Sequence, residues 1–245
     1  MKKVLVTGAA GGIGRAVCEK FLSKNYFVVG CYNSNAQGMK EFIEYLDSKG
    51  LSERFFAVQA DFNSTEQVNA MMDGVLKSFS RFDVVVNNAG VGLYKLATDT
   101  TEQDFDNVFN VNMKAVHTVT RRALDGMISN KKGKIVNVSS MWGVVGASME
   151  VIYSASKAAV IGYTKALAKE VALSGITVNC VCPGVINTPI NARFSSEEIE
   201  QLVLDTPVQR IGEPNDVSEL IYFLSSDKAD FITGQIITCD GGFSL

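Results

Sequence analysis

Short apolar runs alternate with longer helical patterns along the whole chain. Most of these runs are rich in β-branched residues and continuously apolar, which is typical of parallel strands that are covered on both faces. Parallel strands that alternate with helices require right-handed crossovers. The pattern therefore predicts a single α/β domain over residues 1–245, with a Rossmann-like, doubly wound parallel sheet of about seven strands and helices on both faces. The predicted strands are Lys3–Thr7, Phe27–Tyr32, Arg54–Ala60, Val84–Asn87, Lys134–Val138, Thr177–Val181 and Gln235–Thr238.

Helix start signals lie between several of these strands. Ser64-Thr-Glu-Gln67 and Ser195-Ser-Glu-Glu198 both fit a capping box, and Pro214 fits the first turn of another helix. The segment Val185–Gln209 is the least regular part of the chain. It is either a lid over a pocket or a surface excursion, and the pattern favours neither.

Composition and charge narrow the function classes. The 245 residues are 47% hydrophobic and 20% charged, which is ordinary for a globular protein. A formal net charge of −3 provides no excess of positive charge for nucleic acid or an anionic membrane. The apolar stretch at the start is too short for a signal peptide or a membrane span, and no later stretch is long enough. We expect a soluble cytoplasmic protein.

Cysteine and histidine usage argues against a metal centre and a serine hydrolase. The five cysteines are scattered, and no histidine or second cysteine pair accompanies Cys180 and Cys182. Buried reduced thiols are therefore expected. His117 is the single histidine, so a Ser-His-Asp triad is improbable, and we expect a structural role for this residue.

A glycine-rich turn follows the first predicted strand and leads into a helix. Glycines there permit a tight turn, close approach of a pyrophosphate and close helix–strand packing, while the helix N-terminus provides free N–H groups. The spacing Gly-x-x-x-Gly-x-Gly differs from the usual dinucleotide fingerprint, and a glycine-rich turn without a ligand remains an alternative. The predicted cofactor-binding residues in this turn are Gly8, Ala10, Gly11, Gly12, Ile13 and Gly14.

The end of the second predicted strand bears on the choice of nucleotide. A carboxylate at this place would accept from the ribose 2′-OH of NAD, and the sequence has none there. The Asn33 amide and the Ser34 hydroxyl could instead donate to a 2′-phosphate, although no arginine or lysine directly follows the strand. NADP(H) is therefore favoured over NAD(H).

Tyr153 and Lys157 are the main candidates for chemistry. Four residues apart on one predicted helix, Val151 to Ala172, they share a face. A phenol has an ordinary pKa of about 10, and a neighbouring ammonium would lower that pKa and make the phenol a usable general acid. The isolated pair occurs often by chance, so its meaning depends on the motifs around it.

Those motifs occur in a fixed order and resemble the short-chain dehydrogenase/reductase family over essentially the whole chain. Within that family, the C-terminal stretch is most similar to the 3-oxoacyl-[acyl-carrier-protein] reductases of fatty acid biosynthesis. The matching motifs are Thr7-Gly8-Ala-Ala-Gly11-Gly12-Ile13-Gly14, Asn87-Asn88-Ala89-Gly90, Asn112, Ser139-Ser140, Tyr153-x-x-x-Lys157, Pro183-Gly184, Arg210 to Pro214, Ile232 to Gln235 and Asp240-Gly-Gly242.

The resemblance implies a role for each matching position. Tyr153 would protonate the carbonyl oxygen, and Lys157 would bind the cofactor ribose and keep Tyr153 acidic. Ser140 would donate to the carbonyl, and Asn112 would hold a water that links Lys157 to solvent. Further cofactor contacts are implied at Asp61 and Phe62 near the adenine, at Asn88, Ala89 and Gly90 beneath the ribose, and at Pro183, Gly184, Ile186 and Thr188 near the nicotinamide.

The resemblance also implies a homotetramer and leaves three functions open. The first is NADPH-dependent reduction of a 3-oxoacyl group on acyl-carrier protein, for which Lys131 and Lys132 would stand near the pocket mouth. The second is the same chemistry on a free ketone or secondary alcohol, such as a sugar or steroid. Glu150 favours this second function, because its negative charge would lie where the acidic carrier approaches. The third is an NADP-sensing protein without turnover.

Overall fold

The computed structural model describes residues 1–189 and 194–245. It has one sheet of seven parallel strands in the order β3-β2-β1-β4-β5-β6-β7, which confirms the predicted doubly wound α/β fold. The strands are β1 (Lys3–Thr7), β2 (Phe27–Tyr32), β3 (Phe55–Gln59), β4 (Val84–Asn87), β5 (Gly133–Val138), β6 (Ile176–Pro183) and β7 (Ile236–Cys239).

Helices cover both faces of this sheet. The α-helices of the described residues are α1 (Gly12–Ser23), α2 (Ala36–Ser48), α3 (Thr65–Phe79), α4 (Glu102–Phe109), α5 (Ala115–Asn130), α6 (Trp142–Val145), α7 (Val151–Val171), α8 (Ser196–Leu204) and α9 (Pro214–Ser225). A π-helical segment, Asn110–Lys114, joins α4 to α5. Short 3₁₀ turns occupy Ser52–Arg54, Ala97–Asp99, Ala172–Ser174 and Asp227–Ala229.

Two apolar cores follow from the buried strands. Helices α1, α2 and α9 pack on one face of the sheet, around Phe21, Phe42 and Ile221. Helices α3, α5 and α7 pack on the other face, around Met72 and Met127. Because every strand except β3 and β7 is mostly buried, the continuous apolar runs of the sequence have the expected cause.

The helix start signals are confirmed at two of three places. Ser195 and Glu198 form a complete capping box at α8, and Pro214 is the first residue of α9. At α3 only half of the box forms: the Ser64 side chain accepts from Gln67 N, but Gln67 Oε1 accepts from the Asp61 backbone N–H at 3.0 Å. The predicted bond from the Ser64 backbone N–H to the Gln67 side chain is therefore wrong, because Gln67 Oε1 accepts from the loop after β3 instead.

The irregular segment Val185–Gln209 contains α8, and its residues 190–193 lie outside the described residues. No helix of the described residues is long and apolar enough to cross a membrane.

Candidate active site

The predicted site residues gather at the edge of the sheet where the strands end. Strand order reverses between β1 and β4, and in open parallel sheets the crevice beside such a reversal is the usual place for a ligand. The glycine turn follows β1, Asn33 and Asp61 follow β2 and β3, and Asn88 follows β4. Ser140 and Gly184 follow β5 and β6, so six strand ends contribute to this edge.

The turn after β1 has the backbone that a diphosphate requires. Gly8 has φ of +72°, and a Cβ on Gly14 would overlap the Gly8 carbonyl oxygen, so helix α1 can lie this close only with glycine. Gly11 caps α1 without a side chain, and the first turn of the helix contains no acidic residue. The first N–H groups of α1 are therefore available to an anion.

The loop after β6 lies against this turn. A Cβ on Gly12 would be 2.6 Å from Thr188 Cγ2, and a Cβ on Gly184 would be 2.7 Å from Asp240 Cα. Ile186 is 4% exposed and packs in the core near α9. The turn predicted to bind the diphosphate and the loop predicted to lie near the nicotinamide are thus brought together.

The nucleotide-selecting position differs in detail from the prediction. The Asn33 side-chain amide donates to Asp61 Oδ1 at 3.0 Å, and the Asn33 carbonyl accepts from Gln59 Nε2 at 2.9 Å. The Asn33 amide, predicted to donate to a 2′-phosphate, therefore already donates one hydrogen to Asp61. Ser34, the other predicted donor, is exposed. Phe62 is 4% exposed and packs in the same core as Met72 and Met127.

Hydrogen bonds join the motif after β4 to the end of β1 and the glycine turn. The Thr7 hydroxyl oxygen accepts from the backbone N–H groups of Asn88 and Ala89, both at 3.0 Å. The Asn88 amide donates to the carbonyl oxygens of Thr7 at 3.0 Å and Gly8 at 3.3 Å. These four bonds hold the ends of β1 and β4 in one arrangement at the place where strand order reverses.

Tyr153 and Lys157 lie in the first two turns of α7, as the spacing predicts. Lys157 Nζ is 5.7 Å from the centre of the Tyr153 ring and donates to the Val138 carbonyl at 3.0 Å. Burial lowers the pKa of Lys157 from 10.5 to about 8, because an ammonium that is 4% exposed loses most of its hydration. The pair therefore combines a half-buried phenol with a cation in a poorly solvated environment.

The two serines after β5 have different partners. The Ser139 hydroxyl donates to the Lys157 carbonyl at 2.8 Å, which ties this loop to α7. The Ser140 hydroxyl oxygen accepts from the Trp142 backbone N–H at 3.1 Å. That bond uses a lone pair of the Ser140 oxygen and leaves its proton available to another acceptor.

Asn112 lies in the π-helical segment and is completely buried. Its side chain forms two bonds with the Val91 backbone, accepting from N–H at 2.8 Å and donating to the carbonyl at 3.0 Å, and it donates to the Ser156 hydroxyl at 3.0 Å. Both amide hydrogens are therefore used inside the protein. A water held at this place would donate either to the second lone pair of the Asn112 oxygen or to a backbone carbonyl that the π-helical segment leaves without a helical partner.

Two expectations about an acidic carrier are wrong for a single subunit. Lys131 and Lys132 precede β5, whereas Ser140 follows it, so they lie at opposite edges of the sheet, about 20 Å apart by the rise of a strand. Glu150 is 7% exposed, so its charge is not presented to an approaching protein. The predicted basic contact therefore lies away from the site, and the predicted acidic obstacle is buried.

The cysteines are free thiols, as the sequence analysis expects. Cys18, Cys31, Cys180 and Cys182 are buried free thiols, and Cys239 is half-buried. Within the described residues, no group of three histidine, cysteine or acidic side chains could hold a metal ion. His117 is exposed, with its ring edge against Tyr163 at 5.9 Å.

Together, the parallel sheet, the glycine turn and the adjoining tyrosine–lysine pair define a nicotinamide-dependent oxidoreductase. A family profile described as "Enoyl-(Acyl carrier protein) reductase" matches residues 8–244. The chain belongs to this branch of the short-chain dehydrogenase/reductase family.

Several relatives match over their whole length. The 3-oxoacyl-[acyl-carrier-protein] reductase FabG of Staphylococcus aureus strain Mu50 is 38% identical over 244 residues, which cover 100% of this chain and 98% of the relative. The reductase of the same name from Thermotoga maritima shares the same identity and coverage. An uncharacterized oxidoreductase of Bacillus subtilis, YmfI, is 36% identical over 242 residues, 99% of this chain and 98% of that protein.

Proposed function

We propose that this protein reduces the 3-oxo group of an acyl thioester, carried by acyl-carrier protein, to the 3-hydroxy product with NADPH. The observation that carries the proposal is the Tyr153–Lys157 pair beside the Ser139–Ser140 loop, at the strand ends where the glycine turn lies. Full-length relatives named as 3-oxoacyl-[acyl-carrier-protein] reductases support the choice of substrate.

The residues around the crevice fit a dinucleotide. The open N–H groups of α1 and the close approach that Gly8, Gly12 and Gly14 permit suit a diphosphate. NADPH is favoured over NADH because no carboxylate directly follows β2, although the Asn33 amide is shared with Asp61. When bound, the reduced nicotinamide supplies the hydride.

The protein's own residues supply the proton and the positioning. Tyr153 donates its phenolic proton to the carbonyl oxygen, and the Lys157 ammonium stabilises the phenolate that remains. Ser140 donates a hydrogen bond to the same oxygen, where negative charge develops. Proton return from solvent would pass Lys157 and the π-helical segment around Asn112, whose two amide hydrogens are already donated to Val91 and Ser156.

An apolar rim around this site suits an acyl chain. It consists of large apolar side chains that are about half exposed, on the loop after β4, on α6 and at the start of α7. The loop is joined to the segment before α7 by a bond from Lys95 N–H to the Met149 carbonyl at 2.8 Å. Clusters of exposed apolar side chains usually mark a binding site for a ligand or for another protein. The rim residues are Tyr94, Leu96, Val144, Val145 and Val151.

The proposal includes a cytoplasmic homotetramer. Its support is that Leu173, Phe231 and Leu245 are fully exposed in the single chain, which favours burial against other subunits. Five free cysteines suit a reducing compartment. Light scattering should give about four times the 26.5 kDa mass of one chain, and a monomer would contradict this part of the proposal.

The test of function is a comparison of kcat/KM on matched substrates. The panel contains acetoacetyl thioesters of acyl-carrier protein and coenzyme A, a crotonyl thioester, and free ketones, sugars and steroid alcohols. We expect the acetoacetyl thioesters to exceed every other substrate by at least about a hundredfold, equivalent to roughly 2.7 kcal/mol in transition-state stabilisation. A preference for the crotonyl thioester would indicate enoyl reduction, one for free ketones or alcohols would favour the second function, and NADPH binding without turnover of any substrate would indicate a sensor.

A further inference from the structure

Ser156 lies between the two proposed catalytic side chains on α7, but it faces away from solvent and is completely buried. Its hydroxyl donates to the Tyr153 carbonyl at 2.7 Å and accepts from the Asn112 amide at 3.0 Å. A serine inside a helix often bonds back to a carbonyl of the preceding turn. The second bond, to a residue of another helix, is what distinguishes this serine.

Asn112 carries the connection onward to the loop after β4. Its amide has two hydrogens, one of which is donated to Ser156 and the other to the Val91 carbonyl. Its oxygen accepts from the Val91 N–H at 2.8 Å. Removing the Ser156 hydroxyl would leave a buried amide hydrogen without its acceptor, so the Asn112 side chain would have to move or remain unpaired.

That loop touches the ammonium of Lys157. Gly90, the residue before Val91, is so close that a Cβ added to it would lie 3.1 Å from Lys157 Nζ and 3.3 Å from Asn112 Oδ1. A shift of Asn112 therefore changes what surrounds the ammonium. Since Ser156 also holds the Tyr153 carbonyl, one hydroxyl influences the positions of both members of the pair.

We propose that Ser156 is a positioning residue for carbonyl reduction: through Asn112 and the Gly90–Val91 loop on one side, and the Tyr153 backbone on the other, it sets the geometry of the Tyr153–Lys157 pair. Ser156 touches no reacting atom. The inference rests on the proposed function, because it needs a reaction whose rate depends on that pair.

Ser154 provides a matched control. It lies in the same helical turn, and its buried Oγ has no hydrogen-bond partner within the described residues. Ser154→Ala and Ser156→Ala thus each remove one hydroxyl from the same helical turn. Of these two hydroxyls, only that of Ser156 has hydrogen-bond partners within the described residues. The assay is NADPH-driven reduction of acetoacetyl-coenzyme A, with melting temperature measured in parallel.

We expect Ser156→Ala to lower kcat about tenfold and to leave KM within about twofold, because misplacement of catalytic groups slows the reaction more than it weakens binding. Ser154→Ala should keep kcat within about twofold of the unchanged protein. Ser156→Cys fills the same space but bonds weakly, so its kcat should fall at least about threefold. If only the filled space mattered, the cysteine variant would restore full kcat, and the inference would be wrong.

Equal kcat in the Ser156 and Ser154 variants also overturns the inference. If Ser156→Ala does not fold, the comparison of Ser156→Cys with Ser154→Cys decides, with the same threefold threshold. An unchanged protein that turns over none of the substrates instead refutes the proposed function, so the two failures are distinguishable.

Discussion

The buried ammonium of Lys157 lowers the free energy of unfolding of the protein. A shift of its pKa from 10.5 to about 8 corresponds to about 3 kcal/mol of free energy that opposes folding at neutral pH. Lys157→Met keeps the length of the side chain and removes the charge, but it also removes the hydrogen bond to the Val138 carbonyl, worth about 2 kcal/mol because the donor is charged. We therefore expect the variant to be more stable by about 1 kcal/mol at pH 7 and to be inactive.

The sign of the pH dependence follows from the lowered pKa. Below about pH 8, Lys157 is charged in both the folded and the unfolded chain, so the full cost is present. Between pH 8 and 10.5 the unfolded chain binds more protons than the folded one, and the stability of the unchanged protein rises relative to the variant by up to about 1.4 kcal/mol per pH unit. The advantage of Lys157→Met should therefore shrink as pH rises through this window.

Urea unfolding of the ligand-free protein from pH 6.5 to 10, at one protein concentration, measures both effects. Lys165→Met is the control, because Lys165 is exposed on the same helix. Lower stability of Lys157→Met at pH 7, or an advantage that stays constant up to pH 10, would refute the account of Lys157 as a buried charge.

Three further predictions concern the cofactor crevice and the thiols. Asn33→Arg should raise the NADPH-to-NADH ratio of kcat/KM at least about tenfold, because a guanidinium can pair with a 2′-phosphate; an unchanged ratio would mean that the phosphate lies elsewhere. Gly14→Ala should weaken NADPH binding at least about tenfold in a fluorescence titration, because its Cβ overlaps the Gly8 carbonyl. The control Gly74→Ala, in open space on α3, should bind normally and gain up to about 1 kcal/mol of stability, and equal binding by both variants would contradict the steric argument. In thiol titration, only Cys239 should react in the native protein, with the other four cysteines reacting after unfolding; fast reaction of more than one thiol would contradict their burial.

The sequence was sufficient for the sheet and for the bounds of three of its seven strands. Strands β1, β2 and β4 have the predicted bounds, because a glycine turn, a polar cluster or an Asn-Asn pair marks where each one stops. Strand β6 extends to Pro183, beyond its predicted end. Its last residue, Pro183, pairs in register with Cys239 of β7.

Features that depend on distant contacts were not predictable. The π-helical segment Asn110–Lys114 contains no helix breaker, and its Asn112 is held by Val91 and Ser156, far away in the sequence. The burial of Glu150 and the pairing of Asn33 with Asp61 likewise depend on how separate loops meet. Motif spacing predicts which residues come together, but not which hydrogen bonds they form.

Removal of the phenolic hydroxyl of Tyr153 tests the proposed chemistry most directly. Tyr153→Phe removes that hydroxyl alone, and Tyr45→Phe removes one from the surface of α2 as a control. With acetoacetyl-coenzyme A and NADPH, we expect Tyr153→Phe to lose at least about a hundredfold in kcat while its Kd for NADPH stays within about twofold, and Tyr45→Phe to be unchanged. Turnover by Tyr153→Phe close to that of the unchanged protein would contradict the account.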